Sequence, residues 1–350
     1  MKKKKIVFLY TELATYFLAC IEKLLQYPDV EVHIVRWPVN KEAPFNFYFS
    51  NNVKIYDRND YSSIGQLQKL ISTIAPSVIY TSGWIDKGYL KICKHYKNKI
   101  PVVVGLDTQW QGSIKQHILT LLSPFKILNY FTHCWVPGKL QYEYALRLGF
   151  KKEQILTGVY SCDFDLFHDQ YLANKKSRQD QFPERFIYVG RYIEHKGITD
   201  LWQAFIELQN ESPNDWELWC LGTGGIKPIE HQKIKHFGFV QPNELPKYIK
   251  ETGVFVLPSH FEPWGVVVHE FAAAGFPIIC SDQVGALTAF VEHNINGYVY
   301  EAGNTAELKN QLKKVMQLSD VELFEMGENS TKKAQKITPE IWSETLMKLI

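Results

Sequence analysis

The sequence lacks the features that mark several classes of protein. Its six cysteines are widely spaced and no two form a C-x-x-C pair, so neither a zinc site nor a redox dithiol is predicted, and free thiols in a reducing cytosol are expected. No apolar run reaches the roughly 18 to 20 residues that a membrane-spanning helix needs. The apolar run after the N-terminal lysines is interrupted by Glu12 and Glu22 and no small-residue cleavage site follows. We therefore interpret this run as a first buried strand rather than a signal peptide.

A dinucleotide fingerprint is also missing. The segment 221–225, L-G-T-G-G, contains a G-x-G, but no predicted helix follows it directly and no acidic residue ends the next strand. These departures argue against an NAD-dependent oxidoreductase. The turn within 236–241, H-F-G-F-V-Q, is suited instead to presenting backbone groups to the edge of a base.

The patterns that are present are typical of an α/β protein. The chain has 350 residues, of which 45% are hydrophobic and 22% charged, and this length suits two domains. Short runs rich in Val and Ile alternate with segments of helical period, which predicts mostly parallel sheets covered on both faces. The series restarts after residue 180. We therefore predict two doubly wound, Rossmann-like domains facing each other across a cleft, with ligands beyond the carboxyl ends of the strands.

Ten strands and one linker follow from this pattern. The predicted strands are Ile6–Tyr10, Val30–Val35, Val78–Tyr80, Val102–Gly105, Cys134–Pro137, Phe186–Gly190, Trp216–Leu221, Lys235–Phe239, Val254–Pro258 and Pro277–Ser281. The stretch 168–184 is polar and has no apolar period, so it is predicted to be a linker or a surface excursion.

The net charge of +2 conceals an asymmetry. Residues 1–150 contain 19 Lys and Arg against 10 Asp and Glu, a net +9, whereas residues 151–350 contain 20 against 27, a net −7. A basic half favours an anionic partner, such as a phospholipid surface or a lipid-phosphate acceptor, and uneven solvation without a partner is the alternative. We expect a cytoplasmic protein with a peripheral contact at the inner membrane face, and no nucleic-acid partner.

The strongest chemical signal is the segment 259–275, S-H-F-E-P-W-G-V-V-V-H-E-F-A-A-A-G. A strand ends just before it, and a helix is predicted to begin near Gly265. The amides of Gly265, Val266 and Val267 would then be the unsatisfied donors of a helix N-terminus, which bind phosphate. Glu270 lies among apolar neighbours and needs a partner such as a ribose hydroxyl. An ordinary strand–loop–helix with a salt-bridged Glu is the alternative.

A second signal is the segment 186–198, F-I-Y-V-G-R-Y-I-E-H-K-G-I, which again predicts a strand, a glycine turn and a helix. Arg191 directly follows the strand, and Lys196 precedes Gly197 at the next turn. Two such cations can clamp a diphosphate and neutralise the charge that builds up as it leaves. A pair of solvated surface cations is the alternative.

In this order and spacing, the elements between about residues 186 and 310 resemble the C-terminal domain of glycosyltransferase family 4, which has the GT-B fold. The matching elements are the strand with G-R-x4-K-G, the G-x-G strand end, the G-F-V turn, the E-x7-E pair Glu262 and Glu270, and the tail G-A-L-T-A-F-V-E-H-N-I-N-G-Y-V-Y. The segment 161–167, S-C-D-F-D-L-F, looks like the interdomain connector of the family. Its D-x-D pattern is therefore interpreted as structural and not as a metal site.

The resemblance implies a role for each matching residue. Arg191 and Lys196 would hold the donor diphosphate, Glu262 would touch the donor sugar, Glu270 would bind the ribose and Val240 would face the base. The implied donor-binding residues are Gly190, Arg191, Lys196, Gly222, Val240, Glu262, Gly265, Val266, Val267 and Glu270. It also implies a retaining reaction without a metal or other cofactor, in which an oxygen of the leaving diphosphate helps remove the acceptor proton.

The first half of the chain departs from the family pattern. The loop 10–16, Y-T-E-L-A-T-Y, has no glycine, whereas many relatives have a glycine pair there. Asp107 follows a strand at the place where many relatives have a histidine, and we predict that it is catalytic by orienting the sugar or the acceptor hydroxyl. A helix N-cap is the alternative role for Asp107. In the second half, Gly285–Ala286 replaces the commoner glycine pair and would narrow the donor pocket.

Two further segments complete the expected organisation. The segment 117–131 is apolar with flanking lysines, which fits a helix on a membrane interface, although a buried helix is the simpler interpretation. The end of the chain resembles the closing helix of the fold, with Trp342 packing on the first domain. The expected domains are therefore 1–165 on the acceptor side, 166–335 for the donor, and a closing helix within 336–350.

The sequence thus predicts a glycosyltransferase that moves a sugar from a UDP-, GDP- or ADP-sugar to a saccharide or lipid-linked acceptor, in the synthesis of a cell-surface glycan. Domain closure would exclude water from the donor. The alternatives are a nucleotide-sugar-binding protein without transferase activity and a different enzyme on the same fold, such as a sugar-nucleotide epimerase or a phosphorylase.

Overall fold

The computed structural model describes residues 3–14, 16–38, 49–50 and 52–350. The chain divides into two compact units, which we call unit 1 (Met1–Asp163 with Ile337–Ile350) and unit 2 (Phe164–Lys336). The boundaries lie one or two residues from those expected at 165 and 335.

Unit 1 is a parallel α/β sheet. Its strands are β1 (Lys4–Tyr10), β2 (Val30–Arg36), β3 (Val53–Asp57), β4 (Val78–Thr81), β5 (Val102–Gly105), β6 (His133–Val136) and β7 (Ile155–Thr157). Its helices before residue 163 are α1 (Tyr16–Leu24), α2 (Ile64–Ile74), α3 (Lys87–Tyr96), α4 (Ile114–Lys126) and α5 (Lys139–Arg147). The strand order is β3-β2-β1-β4-β5-β6-β7, and every pairing is parallel.

The sheet of unit 1 is covered on both faces. Alternate residues of a strand point to opposite faces, and in β1 the side chains of Val7 and Leu9 belong to one apolar core while those of Ile6 and Phe8 belong to another. A continuous apolar run in a short strand therefore reflects burial on two sides, as expected for a doubly wound fold.

Unit 2 has the same architecture. Its helices are α6 (Phe164–Asp180), α7 (Ile198–Glu211), α8 (Pro246–Glu251), α9 (Val266–Ala273), α10 (Leu287–Phe290), α11 (Thr305–Met316) and α12 (Asp320–Ala334). Its strands are β8 (Arg185–Val189), β9 (Glu217–Leu221), β10 (Ile234–His236), β11 (Val254–Leu257), β12 (Ile278–Ser281) and β13 (Gly297–Tyr300). They form a parallel sheet in the order β10-β9-β8-β11-β12-β13. The predicted fold class, two Rossmann-like α/β domains, is confirmed.

The last helix, α13 (Pro339–Met347), packs against α1 of unit 1. Trp342 is buried there: its ring stacks on Trp135 with centroids 4.9 Å apart, and its indole nitrogen donates to the carbonyl of Val159 at 2.9 Å. The chain therefore returns to unit 1 after completing unit 2.

The interpretation of 168–184 as a linker is wrong. Most of this stretch lies in α6, which packs on α8, α9 and α12. The buried residues of α6 are Phe167, Tyr171, Asn174 and Arg178, spaced as one helical face. Two of the four are polar, so the face has no apolar period that sequence analysis could detect.

Arg178 explains how a polar residue can anchor this helix. Its side chain is 2% exposed, and its guanidinium donates to the carbonyls of Ile249, Thr252 and Gly275 at 2.7, 2.9 and 3.2 Å. It also lies 4.2 Å from the ring centroid of Phe276. Burial lowers the pKa of Arg178 to about 9, and the carbonyl acceptors offset part of the cost of burying the charge.

The interpretation of 117–131 as a buried helix is wrong as well. Only Gln116 and Ser123 are fully buried in α4, and five of its large apolar side chains are exposed. No helix among the described residues is long and apolar enough to cross a membrane.

Replacing Arg178 should destabilise the fold strongly. Arg178→Met removes the donor and leaves three buried carbonyls to find other partners, so we expect the free energy of unfolding to fall by about 2 to 4 kcal/mol. Lys176→Met, at an exposed site on the same helix, is the matched control and should change it by about 0.5 kcal/mol or less. Urea denaturation of both variants measures the difference, and equal stability of the two would show that the carbonyl contacts are unimportant.

Candidate active site

The topology of unit 2 indicates a ligand site at the carboxyl ends of two central strands of its sheet. The strand order reverses between β8 and β11, which are neighbours in the sheet but distant in the sequence. In open α/β sheets, ligands bind beyond the carboxyl ends of the strands at such a reversal. The two segments with the strongest chemical signals, 186–198 and 259–275, contain the loops that leave these two strands. The fold therefore brings together what the sequence separates by more than sixty residues.

The loop after β8 is held in a defined conformation. The hydroxyl of Tyr188 donates to the carbonyl of Arg191 at 2.8 Å, and Arg191 is exposed beyond it. A short 3₁₀ turn, Glu194–Lys196, ends at Gly197, which has a φ of 66°. A β-carbon on Gly197 would lie 2.0 Å from the carbonyl oxygen of Pro258. The glycine is therefore required both for the left-handed backbone and for the contact with the end of β11.

The loop after β11 is fastened to the same turn. The amides of His260 and Phe261 both donate to the carbonyl of His195, at 2.9 and 3.4 Å. The ammonium of Lys196 and the carboxylate of Glu262 then form an ion pair in which the side chains are only 16% and 13% exposed. Two residues predicted separately as donor ligands are therefore in direct contact.

This junction carries two cations, Lys196 and Arg191, beside Glu262 and the exposed Glu194 of the same turn. Burial lowers the pKa of His195, and the nearby charges of Lys196 and Arg191 lower it further. His195 is consequently neutral around pH 7, and the positive charge here comes from Lys196 and Arg191. These two cations could each pair with one phosphate of an anionic ligand.

The helix α9 begins beside the ion pair. Its N-cap is Gly265, with a φ of 91°, and a β-carbon there would lie 3.0 Å from the side chain of Glu262. Val266 and Val267 are half-buried first residues of the helix, so their amides belong to the donors that a helix cannot satisfy internally. Glu270 is half-buried one turn further along.

The segment after β12 also holds the backbone of Glu262 in place. The amide of Glu262 donates to the carbonyl of Gln283 at 3.1 Å, and the amide of Gly285 donates back to the carbonyl of Glu262 at 3.0 Å. The amide of Ala286 donates to the carbonyl of Trp264 at 2.9 Å. The backbone of Glu262 is thus fixed by neighbours on two sides.

The remaining predicted donor residues lie along the same sheet edge. The amide of Gly222 donates to the carbonyl of Gly238 at 2.7 Å, and a β-carbon on Gly222 would lie 1.8 Å from the carbonyl oxygen of Gly190. The loops after β8, β9 and β10 therefore approach one another through glycines. Val240 is half-buried two residues beyond Gly238.

Asp107 lies in unit 1, beyond the carboxyl end of β5. Its carboxylate is exposed and accepts a hydrogen bond from the hydroxyl of Tyr160 at 3.3 Å, and its carbonyl accepts one from the side chain of Gln141 at 3.1 Å. The N-cap alternative is wrong, because Ser113 caps α4. Burial and the charge of Asp107 raise the pKa of Tyr160 well above its ordinary value, so Tyr160 is a neutral donor.

Sequence analysis missed the residues that assemble the site without facing a ligand. The hydroxyl of Tyr188 and the carbonyl of His195 each bind a backbone group of a neighbouring loop residue, and neither has a sequence signal. Gly197 was noted as a turn residue, but its contact with Pro258 depends on strand order. Among the described residues, no group of three or more His, Cys, Asp or Glu side chains could hold a metal ion.

Comparison with known proteins relates most of unit 2 to one family. Residues 170–336, nearly all of unit 2, match the family described as glycosyl transferases group 1. The chain is 30% identical over 255 residues to alpha-monoglucosyldiacylglycerol synthase from Acholeplasma laidlawii, covering 64% of this chain and 63% of that protein. It is 31% identical over 164 residues to an uncharacterized glycosyltransferase from Methanocaldococcus jannaschii, covering 43% and 41%. The chain thus spans less than two thirds of the length of these curated relatives.

Solved structures match over nearly the whole chain. Sucrose-phosphate synthase from Thermosynechococcus elongatus superposes with a TM-score of 0.74 at 16% identity, covering 99% of this chain and 98% of that one. The Anabaena protein HepE in complex with UDP-glucose superposes with a TM-score of 0.68 at 15% identity, covering 98% of both chains. These similarities show the fold, which is that of the GT-B glycosyltransferases.

The glycine contact at this edge gives a prediction. Gly222→Ala combines an unfavourable backbone, φ 146°, with an overlap of the new β-carbon on a carbonyl oxygen. We expect it to lower the free energy of unfolding by about 3 kcal/mol. Gly225→Ala, in the same loop, places its β-carbon where nothing lies within 4 Å and should be nearly neutral. Thermal denaturation of both variants compares them, and a neutral Gly222→Ala would contradict the close approach of the loops.

Proposed function

We propose that the protein is a retaining glycosyltransferase of family 4, which moves a sugar from a nucleotide-diphosphate donor to an acceptor. The observation that carries the proposal is the contact between Lys196 and Glu262 at the strand-order reversal of unit 2, within the segment that matches group 1 glycosyl transferases. A basic group, a carboxylate and the start of a helix meet there, and each suits a different part of a nucleotide-sugar.

The ion pair supports a specific exchange of partners. A diphosphate carries more negative charge than one carboxylate, so the donor would replace Glu262 as the partner of Lys196. Arg191 would bind the second phosphate through its planar fork. Glu262 would then be released to accept hydrogen bonds from hydroxyls of the donor sugar.

The start of α9 would complete the donor site. The amides of Gly265, Val266 and Val267 would donate to the phosphates or to the sugar, with the helix dipole behind them. Glu270 would bind the ribose hydroxyls, and Val240 would pack against the base. HepE has been solved with UDP-glucose, which makes a UDP-sugar the first donor to test, beside GDP- and ADP-sugars.

The proposed reaction needs no protein nucleophile and no metal. The acceptor oxygen would attack the anomeric carbon on the face from which the diphosphate leaves, and a diphosphate oxygen would take the acceptor proton. Lys196 and Arg191 would stabilise the negative charge on the leaving group. Asp107, held by Tyr160, would orient the sugar or the acceptor hydroxyl.

The acceptor is proposed only by class. A saccharide or lipid-linked acceptor in a cell-surface glycan pathway is supported by the similarity to alpha-monoglucosyldiacylglycerol synthase. The net charge of +9 over residues 1–150 supports a peripheral contact with an anionic membrane on its cytoplasmic side.

Removing the Lys196 ammonium should slow the reaction. We expect Lys196→Ala to lower the rate of nucleoside diphosphate release from a nucleotide-sugar, with water as acceptor, by about a hundredfold, because its charge acts on the leaving group. Lys227→Ala, an exposed lysine of unit 2, is the matched control and should keep the wild-type rate. Chromatographic detection of the released nucleotide gives both rates, with and without EDTA.

Each outcome of this experiment bears on the proposal. An EDTA-insensitive wild-type rate that only Lys196→Ala lowers supports the diphosphate clamp. Equal rates for both variants would show that Lys196 is misassigned. Tight nucleotide-sugar binding without release, even with acceptors present, would instead favour a binding protein without transferase activity.

A further inference from the structure

The helix α4 of unit 1 exposes most of its large apolar side chains, although Leu119 packs on the core. A surface helix normally buries its apolar face and exposes its polar face. In α4 the fully buried side chains are the polar Gln116 and Ser123, whereas the large apolar side chains Ile114, Leu121 and Phe125 are 78%, 79% and 75% exposed.

Hydrogen bonds hold α4 in this orientation. The side chain of Gln116 donates to the carbonyl of Gln109 at 2.8 Å and accepts from the amide of Gln111 at 2.8 Å. The hydroxyl of Ser123 donates to the carbonyl of Leu148. Rolling the helix to bury its apolar face would break these buried contacts, so the exposed face is a stable property of the fold.

The exposed apolar residues form one stripe. They are Ile114, Ile118, Leu121, Leu122 and Phe125. At about 100° per residue, their directions fall within about 100° of one another around the helix axis. This stripe, which we call the α4 stripe, runs along the full length of the helix. Single exposed apolar residues are common, but a contiguous row of five marks an interaction surface.

The segment that carries the α4 stripe is basic. From residue 108 to residue 142 the sequence contains no Asp or Glu, and it contains three lysines. Two of them, Lys115 and Lys126, are exposed on α4 itself, and both lie on the flank next to Leu122 by the helical projection. An apolar stripe with a lysine near each end of one flank is typical of a helix that lies in the interface of an anionic bilayer.

We propose that α4 docks unit 1 onto an anionic lipid bilayer, with the α4 stripe in the acyl boundary and Lys115 and Lys126 at the level of the headgroup phosphates. This names the surface for the membrane contact of the proposed function, and it does not depend on the transferase reaction. A second copy of the chain fits less well, because an antiparallel two-fold pairing through the α4 stripe would bring Lys115 and Lys126 of both copies to the same flank, where residues 108–142 offer no carboxylate.

The test is the partition of the full chain onto vesicles, measured by flotation. The vesicles contain phosphatidylcholine alone or have one third of their lipid replaced by phosphatidylglycerol. We expect binding to the anionic vesicles that weakens as salt is raised. The double variant L121Q/F125Q should lower the partition coefficient by about tenfold or more, because it removes two large apolar contacts.

Two comparisons make the result specific. The double variant L172Q/V321Q changes apolar residues of unit 2 that are 56% and 64% exposed, and it should bind as wild type does. The double variant K115Q/K126Q should lose about tenfold of its binding to anionic vesicles and little of its binding to neutral ones.

Three results would overturn the proposal. The first is that the wild-type chain binds neither kind of vesicle. The second is that L172Q/V321Q loses as much vesicle binding as L121Q/F125Q does. The third is that analytical ultracentrifugation without lipid shows a wild-type dimer and a monomeric L121Q/F125Q. The last result would assign the α4 stripe to a second copy. Binding of a nucleoside diphosphate is measured on the same protein preparations before vesicles are added. This second measurement distinguishes a failure of the membrane proposal from a failure of the proposed transferase function.

Discussion

The carbonyl of His195 accepts the amides of His260 and Phe261, and this junction connects the loop after β8 to the loop after β11. Its geometry requires Gly197, because any side chain there would meet the carbonyl of Pro258. The Lys196–Glu262 contact and the position of the first turn of α9 relative to Lys196 depend on this backbone junction. The charged groups are therefore placed by backbone contacts that involve no charge.

Backbone contacts also fix the other loops at the carboxyl end of the sheet of unit 2. Gly222 lets the loop after β9 reach the loop after β8, and the pairing of Glu262 with Gln283 and Gly285 fixes the loop after β11 from the side of β12. A ligand with several phosphate oxygens needs many donors at fixed positions, and loops that contact one another through their backbones supply such positions with little rearrangement.

Much of this organisation could be predicted from the sequence. Apolar runs located the buried strands, since burial on both faces leaves a continuous run, and the glycine-bearing turns indicated the candidate site residues after them. The strands β3, β7 and β13, which escaped prediction, are all edge strands, although the fourth edge strand, β10, was predicted. The helix α6 escaped because Asn174 and Arg178 make up half of its buried face.

The errors share a physical cause. Sequence periodicity assumes that apolar means buried, and both α6 and α4 break that assumption by burying polar groups that are hydrogen-bonded. Because α4 buries polar side chains, its apolar residues Leu121 and Phe125 are exposed to solvent. The ion pair between Lys196 and Glu262 could likewise not be predicted from the sequence, because it depends on the strand order of unit 2.

The most direct test of the account is a thermal-shift titration of the wild-type chain with UDP, GDP and ADP, with and without EDTA. Because a ligand that binds only the native state stabilises it by mass action, we expect at least one nucleoside diphosphate to raise the melting temperature in a concentration-dependent manner that EDTA does not change. The absence of a shift with all three, at millimolar concentration, would contradict a diphosphate site at the carboxyl edge of unit 2.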